Sequence, residues 1–187
     1  IEHLFGADVI EGGRHENWGT RNALVSLGTT SYLEIIGPDP HRSTSRMPTL
    51  FKIDQVDRPR LITWAAKGTN LTDVVASAER GGVDLGDVSD GNRILPDGSM
   101  LEWQLTDPYA DRMDGIVPFF IDWSGSAHPA EALPRSCELV TIDLEHPHAE
   151  EAEVAMEAVG VPTQVVAADT AAIRVTIRTP NGAIELT

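Results

Sequence analysis

Apolar residues recur along this chain with two spacings. Every second position marks strands; every third or fourth marks helices. Val9 to His15 reads as a short strand bent at Gly12-Gly13. Asn22 to Leu27 (NALVSL) and Ser31 to Ile36 (SYLEII) read as two more strands, and the short gap at Gly28 to Thr30 predicts a hairpin. Leu61 to Ala66 is an apolar strand. Leu71, Val74, Val75 and Ala78 then share a helix face that Gly81-Gly82 closes. Asp87 to Arg93 is a weak strand, and Pro96-Asp97-Gly98 is a turn signal. From Met100 to Thr106, Leu101, Trp103 and Leu105 alternate with Glu102, Gln104 and Thr106, the pattern of a half-buried strand. Ile116 to Trp123 is a further apolar strand, with Pro118 suited to an edge or a bulge. Glu138 to Leu144 alternates as a strand, and Ala152, Ala155, Met156 and Val159 form a helix face closed by Gly160. Gln164 to Ala167, Ile173 to Arg178 and Ala183 to Leu186 complete the pattern, with Asn181-Gly182 as a hairpin turn.

The order of elements repeats although the residues do not. The middle reads strand, helix, strand, strand, strand, and so does the C-terminal part. The N-terminal part reads as the end of a helix (Glu2 to Gly6) and three strands, as if a first strand were missing. Hairpins mixed with helices predict an α+β fold of repeated βαβββ modules. The expected units are residues 1–60 (a shortened first module plus a long loop), 61–125 (a second module) and 126–187 (a connector and a C-terminal module). Asp39 to Arg60 is polar and rich in Pro, Ser and Arg, a long loop of the kind that serves as a lid. The missing strand carries two expectations: a segment upstream of Ile1, or completion of the sheet edge by a partner chain in a homodimer.

Charge narrows the functions. Of 187 residues, 29 are acidic and 14 basic, a formal net charge of −15. Such a chain repels phosphate backbones and anionic lipid surfaces, so neither nucleic acid nor membrane is an expected partner. The apolar fraction of 41% suffices for a core, and no apolar run approaches the roughly 20 residues that span a bilayer. The single cysteine, Cys137, permits no internal disulfide and fits a reducing cytoplasm. It reads as a small core residue.

With these elements in place, GGRHENWGTRNALVSLGTTSYLEIIGPDP (Gly12 to Pro40) resembles the opening of glyoxalase-like domain proteins of the vicinal oxygen chelate (glyoxalase, bleomycin resistance, dioxygenase) superfamily. VDLGDVSDGNR, PDGSMLEWQL and VPFFIDW followed by His128-Pro129 support the likeness. The resemblance implies paired modules whose curved mixed sheets form a cleft where a divalent metal often sits, held by His, Gln and Glu from the first and last strands of each module. Glu34 matches the last-strand position, and Glu185 matches it in the C-terminal module. Glu102 matches by sequence, but Asp122 takes that place if Ile116 to Trp123 is the last strand. The matching first-strand His lies upstream of Ile1 in the first module. Thr63 or Trp64 replaces it in the second, and Cys137-Glu138 in the third. The set is incomplete, so no metal ligand is assigned and no cofactor is certain.

Individual residues sharpen the expectation. Glu34 shares a strand face with Tyr32 and Ile36, opposite to Leu33 and Ile35. A carboxylate among apolar neighbours needs a partner, which makes Glu34 the leading catalytic candidate. His15, beside the Gly12-Gly13 bend, is the second. Asn22, Trp18, Tyr32, Trp64, Asp122 and Trp123 are candidate substrate-binding residues, the aromatic ones as cleft walls. Glu102 and Glu185 alternate outward. His146 and His148 have metal-like spacing, but they precede a helix, where capping and solvation explain them. His41 reads as exposed. The implied function is binding of a small oxygenated metabolite, with a lyase or isomerase using Glu34 and His15 as one reading. A non-catalytic sequestration module of the bleomycin-resistance type is the other.

Overall fold

The computed structural model describes residues 2–15, 18–42, 49–94, 100–123 and 125–187, without the side chains at 93 and 94. The turn read at Pro96-Asp97-Gly98 and part of the long loop after Asp39 lie outside these residues. The chain is α+β, as its patterning predicts. A short helix α1 (Glu2–Phe5) precedes an antiparallel sheet of β1 (Ile10–His15), β2 (Thr20–Ser26) and β3 (Tyr32–Pro38) in that order. A second sheet holds β4 (Ala65–Lys67), β5 (Ser89–Ile94), β6 (Met100–Leu105) and β7 (Phe119–Asp122), with helix α2 (Leu71–Arg80) after β4. The third holds β8 (Glu138–His146), β9 (Val165–Ala167), β10 (Ala172–Thr179) and β11 (Gly182–Leu186), with α3 (Ala149–Ala158) between β8 and β9.

The second and third units share an element order but not a pairing order. The second sheet runs β4-β7-β6-β5, its first strand parallel to its last. The third runs β11-β10-β8-β9, so β8 lies between its parallel crossover partner β9 and the antiparallel β10. Pairing order is set by tertiary packing, which the periodicity of a strand does not carry.

Three elements are shorter or richer than their patterns predict. The strand expected over Leu61 to Ala66 is confined to Ala65–Lys67. Residues 61–64 have no regular secondary structure and lie beside a tight turn at Met113–Gly115, where a Cβ on Gly115 (φ 90°) would collide with the Ile62 carbonyl. The strand expected over Ile116 to Trp123 begins only at Phe119, because Pro118 has no N–H to give a ladder. The long loop carries a 3₁₀ segment, Leu50–Gln55, whose Phe51 and Lys52 have left-handed backbone angles (φ 50° and 58°).

One core joins the three units. Phe5, Val25, Leu71, Ala78, Met156 and Ile177 belong to a single buried cluster that α2 and α3 help to close. Cys137 is buried in it, and burial pushes its thiol pKa up. A separate cluster of Leu101, Trp103, Leu105 and Trp123 packs with Trp18, Tyr32, Phe119 and Ile121. This second cluster lies where the first two sheets face each other, and it forms the cleft.

Candidate functional site

A β-bulge decides which side chains of β1 enter the cleft. Ile10 and Glu11 pair with Leu24 and Ala23, but Gly13 then pairs with Asn22, which leaves Gly12 as an extra residue. The insertion reverses the facing of everything after it. With it, His15 pairs with Thr20 and shares the face of Asn22 and Leu24. Without it, Arg14 would take that face and His15 the opposite one. The His15 ring bonds through Nδ1 to Thr20 Oγ1 at 2.9 Å, and it meets Trp18 edge to face at 5.7 Å.

On β2 and β3, strict alternation sends Asn22, Leu24, Tyr32, Glu34 and Ile36 into the cleft, and Val25, Leu33 and Ile35 toward the core. Glu34 is cross-strand to Leu24 and diagonal to Asn22. Asn22 Nδ2 donates to Glu34 Oε1 at 2.6 Å. Glu34 itself is exposed, so its carboxylate sits at the mouth. The facing wall comes from Leu101, Trp103 and Leu105 of β6 and from Phe119, Ile121 and Trp123 on or just after β7. Leu50 and Phe51 reach in from the 3₁₀ segment. The resulting cavity measures about 60 Å³, widening to about 560 Å³ when its open mouth is counted.

Behind these walls lie two polar groups absent from the sequence candidates. Arg112 is buried, donates to the carbonyls of Asp107 and Ala110, and stacks on Phe51 and Phe119 at 5.9 and 5.7 Å. Burial lowers its pKa, against the pull of Asp107 and Asp111. His128 packs against Tyr32 and Trp123, at centroid distances of 5.5 and 5.8 Å. Burial holds its pKa below the ordinary histidine value, helped by the charge of Lys67 and opposed by Glu131. Its Nδ1 accepts the Ala130 N–H at 3.2 Å, so the neutral ring carries its hydrogen on Nε2.

Six of the eight residues singled out from the sequence come together in this cleft: His15, Trp18, Asn22, Tyr32, Glu34 and Trp123. Trp64 and Asp122 do not line it. Trp64 turns its indole N–H to the Ile116 carbonyl at 2.8 Å and packs against the main core. Asp122 alternates with Ile121 and Trp123, so it points away, where its carboxylate accepts the Asn70 N–H at the start of α2. Glu102 is exposed, and Glu185 is exposed beside Arg174. His146 is buried, and its Nδ1 accepts the His148 backbone N–H at 3.0 Å. The bulk of the facing wall was legible only as a half-buried strand, because periodicity does not say whether the buried side meets a core or a cleft.

Among the described residues the divalent-metal site common in the superfamily is not assembled. Asn22 engages Glu34 and Thr20 engages His15. Among the described residues no three of His, Cys, Asp or Glu converge on one point.

Comparison with known proteins agrees with this architecture. Residues 1–160 match the family model described as a glyoxalase-like domain. No curated protein matches the chain. A crystal structure of a hypothetical protein from Staphylococcus aureus is similar in fold, with a TM-score of 0.63 at 14% identity, covering 96% of this chain and 75% of that one.

Proposed function

The chain belongs to the glyoxalase-like domain family, and from that premise we propose that its inter-sheet cleft binds a small oxygenated metabolite. The observation that carries this reading is the composition of the cleft. Aromatic and aliphatic side chains from two facing sheets enclose a small cavity, and one hydrogen-bonded polar pair, Asn22–Glu34, stands at its mouth. Apolar walls with few placed polar groups are the ordinary make-up of a small-molecule site.

Within this reading Glu34 is the base. A carboxylate held by an amide N–H and set against apolar walls can take a proton from carbon next to a carbonyl, the step shared by lyases and isomerases of such substrates. His15, on the same face, assists by hydrogen bonding. The aromatic lining favours a second reading, a module that binds and sequesters its ligand without chemistry. Calorimetric titration with small hydroxyketones, paired with NMR detection of solvent deuterium entering hydroxyacetone, tests both. Glu34-dependent exchange supports the enzyme, binding without exchange supports the sequestering module, and no binding at all sinks the cleft reading.

The single buried cysteine suits a reducing cytoplasm, and among the described residues no helix is long and apolar enough to cross a membrane. We further propose a homodimer, for which light scattering should give twice the 20.2 kDa chain mass.

A further inference from the structure

Two buried polar atoms in the cleft have no partner among the described residues: the Asn22 side-chain oxygen and the Trp123 indole N–H. Both residues are more than nine-tenths buried, at 8% and 7% exposure, and both line the cavity. The orientation of the Asn22 amide is not arbitrary. Its nitrogen must face Glu34, because a carboxylate oxygen only accepts, and this turns Oδ1 away from Glu34. Trp123 is held against Trp103 and His128 by ring contacts at 5.7 and 5.8 Å. Leaving a buried polar atom unmet costs about 1–3 kcal/mol. Two such atoms on residues that line one cavity, one acceptor and one donor, are therefore a chemical imprint of what fills it.

Resting on the proposed binding role of the cleft, we propose that its ligand is a small, uncharged, single-ring or similarly sized molecule. It carries a hydroxyl or N–H that donates to Asn22 Oδ1, and a carbonyl or ether oxygen that accepts from Trp123 Nε1. Size follows from the enclosed volume of about 60 Å³, room for roughly four or five waters, which takes one end of a single ring while the open mouth takes the rest. Neutrality follows from the walls: the described lining residues include Glu34 but no Lys or Arg, and Arg112 stands behind Phe51 and Phe119, so an anionic ligand meets repulsion and no cation in direct contact. The flat form follows from the indoles and rings of Trp103, Trp123, Tyr32 and Phe119, which present faces and edges that a planar molecule fills.

The test uses the whole chain and four probes read by calorimetry: 3- and 4-hydroxyacetophenone (donor and acceptor), acetophenone (acceptor only) and ethylbenzene (neither). A hydroxyacetophenone should bind about three- to tenfold tighter than acetophenone, and acetophenone tighter than ethylbenzene by a similar factor, as expected for one net hydrogen bond each. Asn22→Leu should erase only the advantage of the hydroxyl, and Trp123→Phe only that of the carbonyl. If Asn22→Leu fails to fold, the ranking of the probes on the unaltered chain and Trp123→Phe still decide. Equal affinity across the series, or variants that weaken every probe alike, overturns the inference and leaves the cleft as a binding site. Binding of none of the probes overturns both.

Discussion

The amide of Asn22 holds Glu34 in place from the strand beside it, and that single bond explains how a carboxylate is kept at the mouth of an apolar cleft. Glu34→Gln retains an oxygen for the Asn22 N–H but loses the charge. Binding of hydroxyacetone should change by less than about threefold, since one hydrogen bond is retained. Deuterium exchange, if Glu34 is the base, should fall by about 10²-fold or more. Retained exchange would remove Glu34 from the chemistry. Gly91 matters at the same scale for a steric reason. It pairs with Trp103 across β5 and β6, and the indole lies where its Cβ would be. Gly91→Ala should cost about 1–3 kcal/mol by overpacking, measured by urea unfolding, and should weaken probe binding by displacing the cleft wall.

At the scale of elements, β1 is the sharpest case. Its extra residue, Gly12, is what turns His15 rather than Arg14 into the cleft. Gly12→Val, which favours regular pairing over the bulge, should restore a regular ladder and put the Arg14 guanidinium on the cleft face. The variant should lose probe binding while keeping a native circular dichroism spectrum; undiminished binding would show that the bulge is incidental. Helix α2 supplies a contrast. Its N-cap residue, Asn70, has a left-handed conformation (φ 53°), and the Asp122 carboxylate accepts its N–H. A negative charge there stabilises the helix start, so Asp122→Ala should lower stability by about 0.3–1 kcal/mol. Ligand affinity should not move, because Asp122 faces away from the cleft. Alternation made the Asp122 side of β7 equally legible as cleft or helix side. Only the neighbour across that face, Asn70, separates the two.

The whole molecule should be acid-sensitive. Asp39 is held below the ordinary carboxylate range by the His41 N–H and Arg14, and Glu145 by Arg174. Each stabilises the fold above its unfolded pKa, and the contribution is lost as pH falls through the lowered value. His128 acts in the same direction higher up. Between its lowered pKa and the ordinary one, the unfolded chain binds the proton that the folded chain resists, so stability falls as pH drops across that window. Urea midpoints from neutral to acid pH should show this fall, and His128→Gln should flatten its upper part; an unchanged profile would contradict the burial of that ring.

What the sequence determined by itself was local. Hydrophobic period and turn residues located the strands, both longer helices and the α+β class, because those depend on neighbours in the chain. Alternation placed Glu34 with Tyr32 and Ile36, and glycines marked the bend before His15. The tertiary structure decided which buried face meets the core and which meets the cleft, and so separated Trp123 from Trp64. It also decided the strand order of the third sheet and brought Phe51, Arg112 and His128 to the site. These are contacts between residues far apart in the chain. Their cause lies in how two sheets and a strap pack together, and no single segment records it.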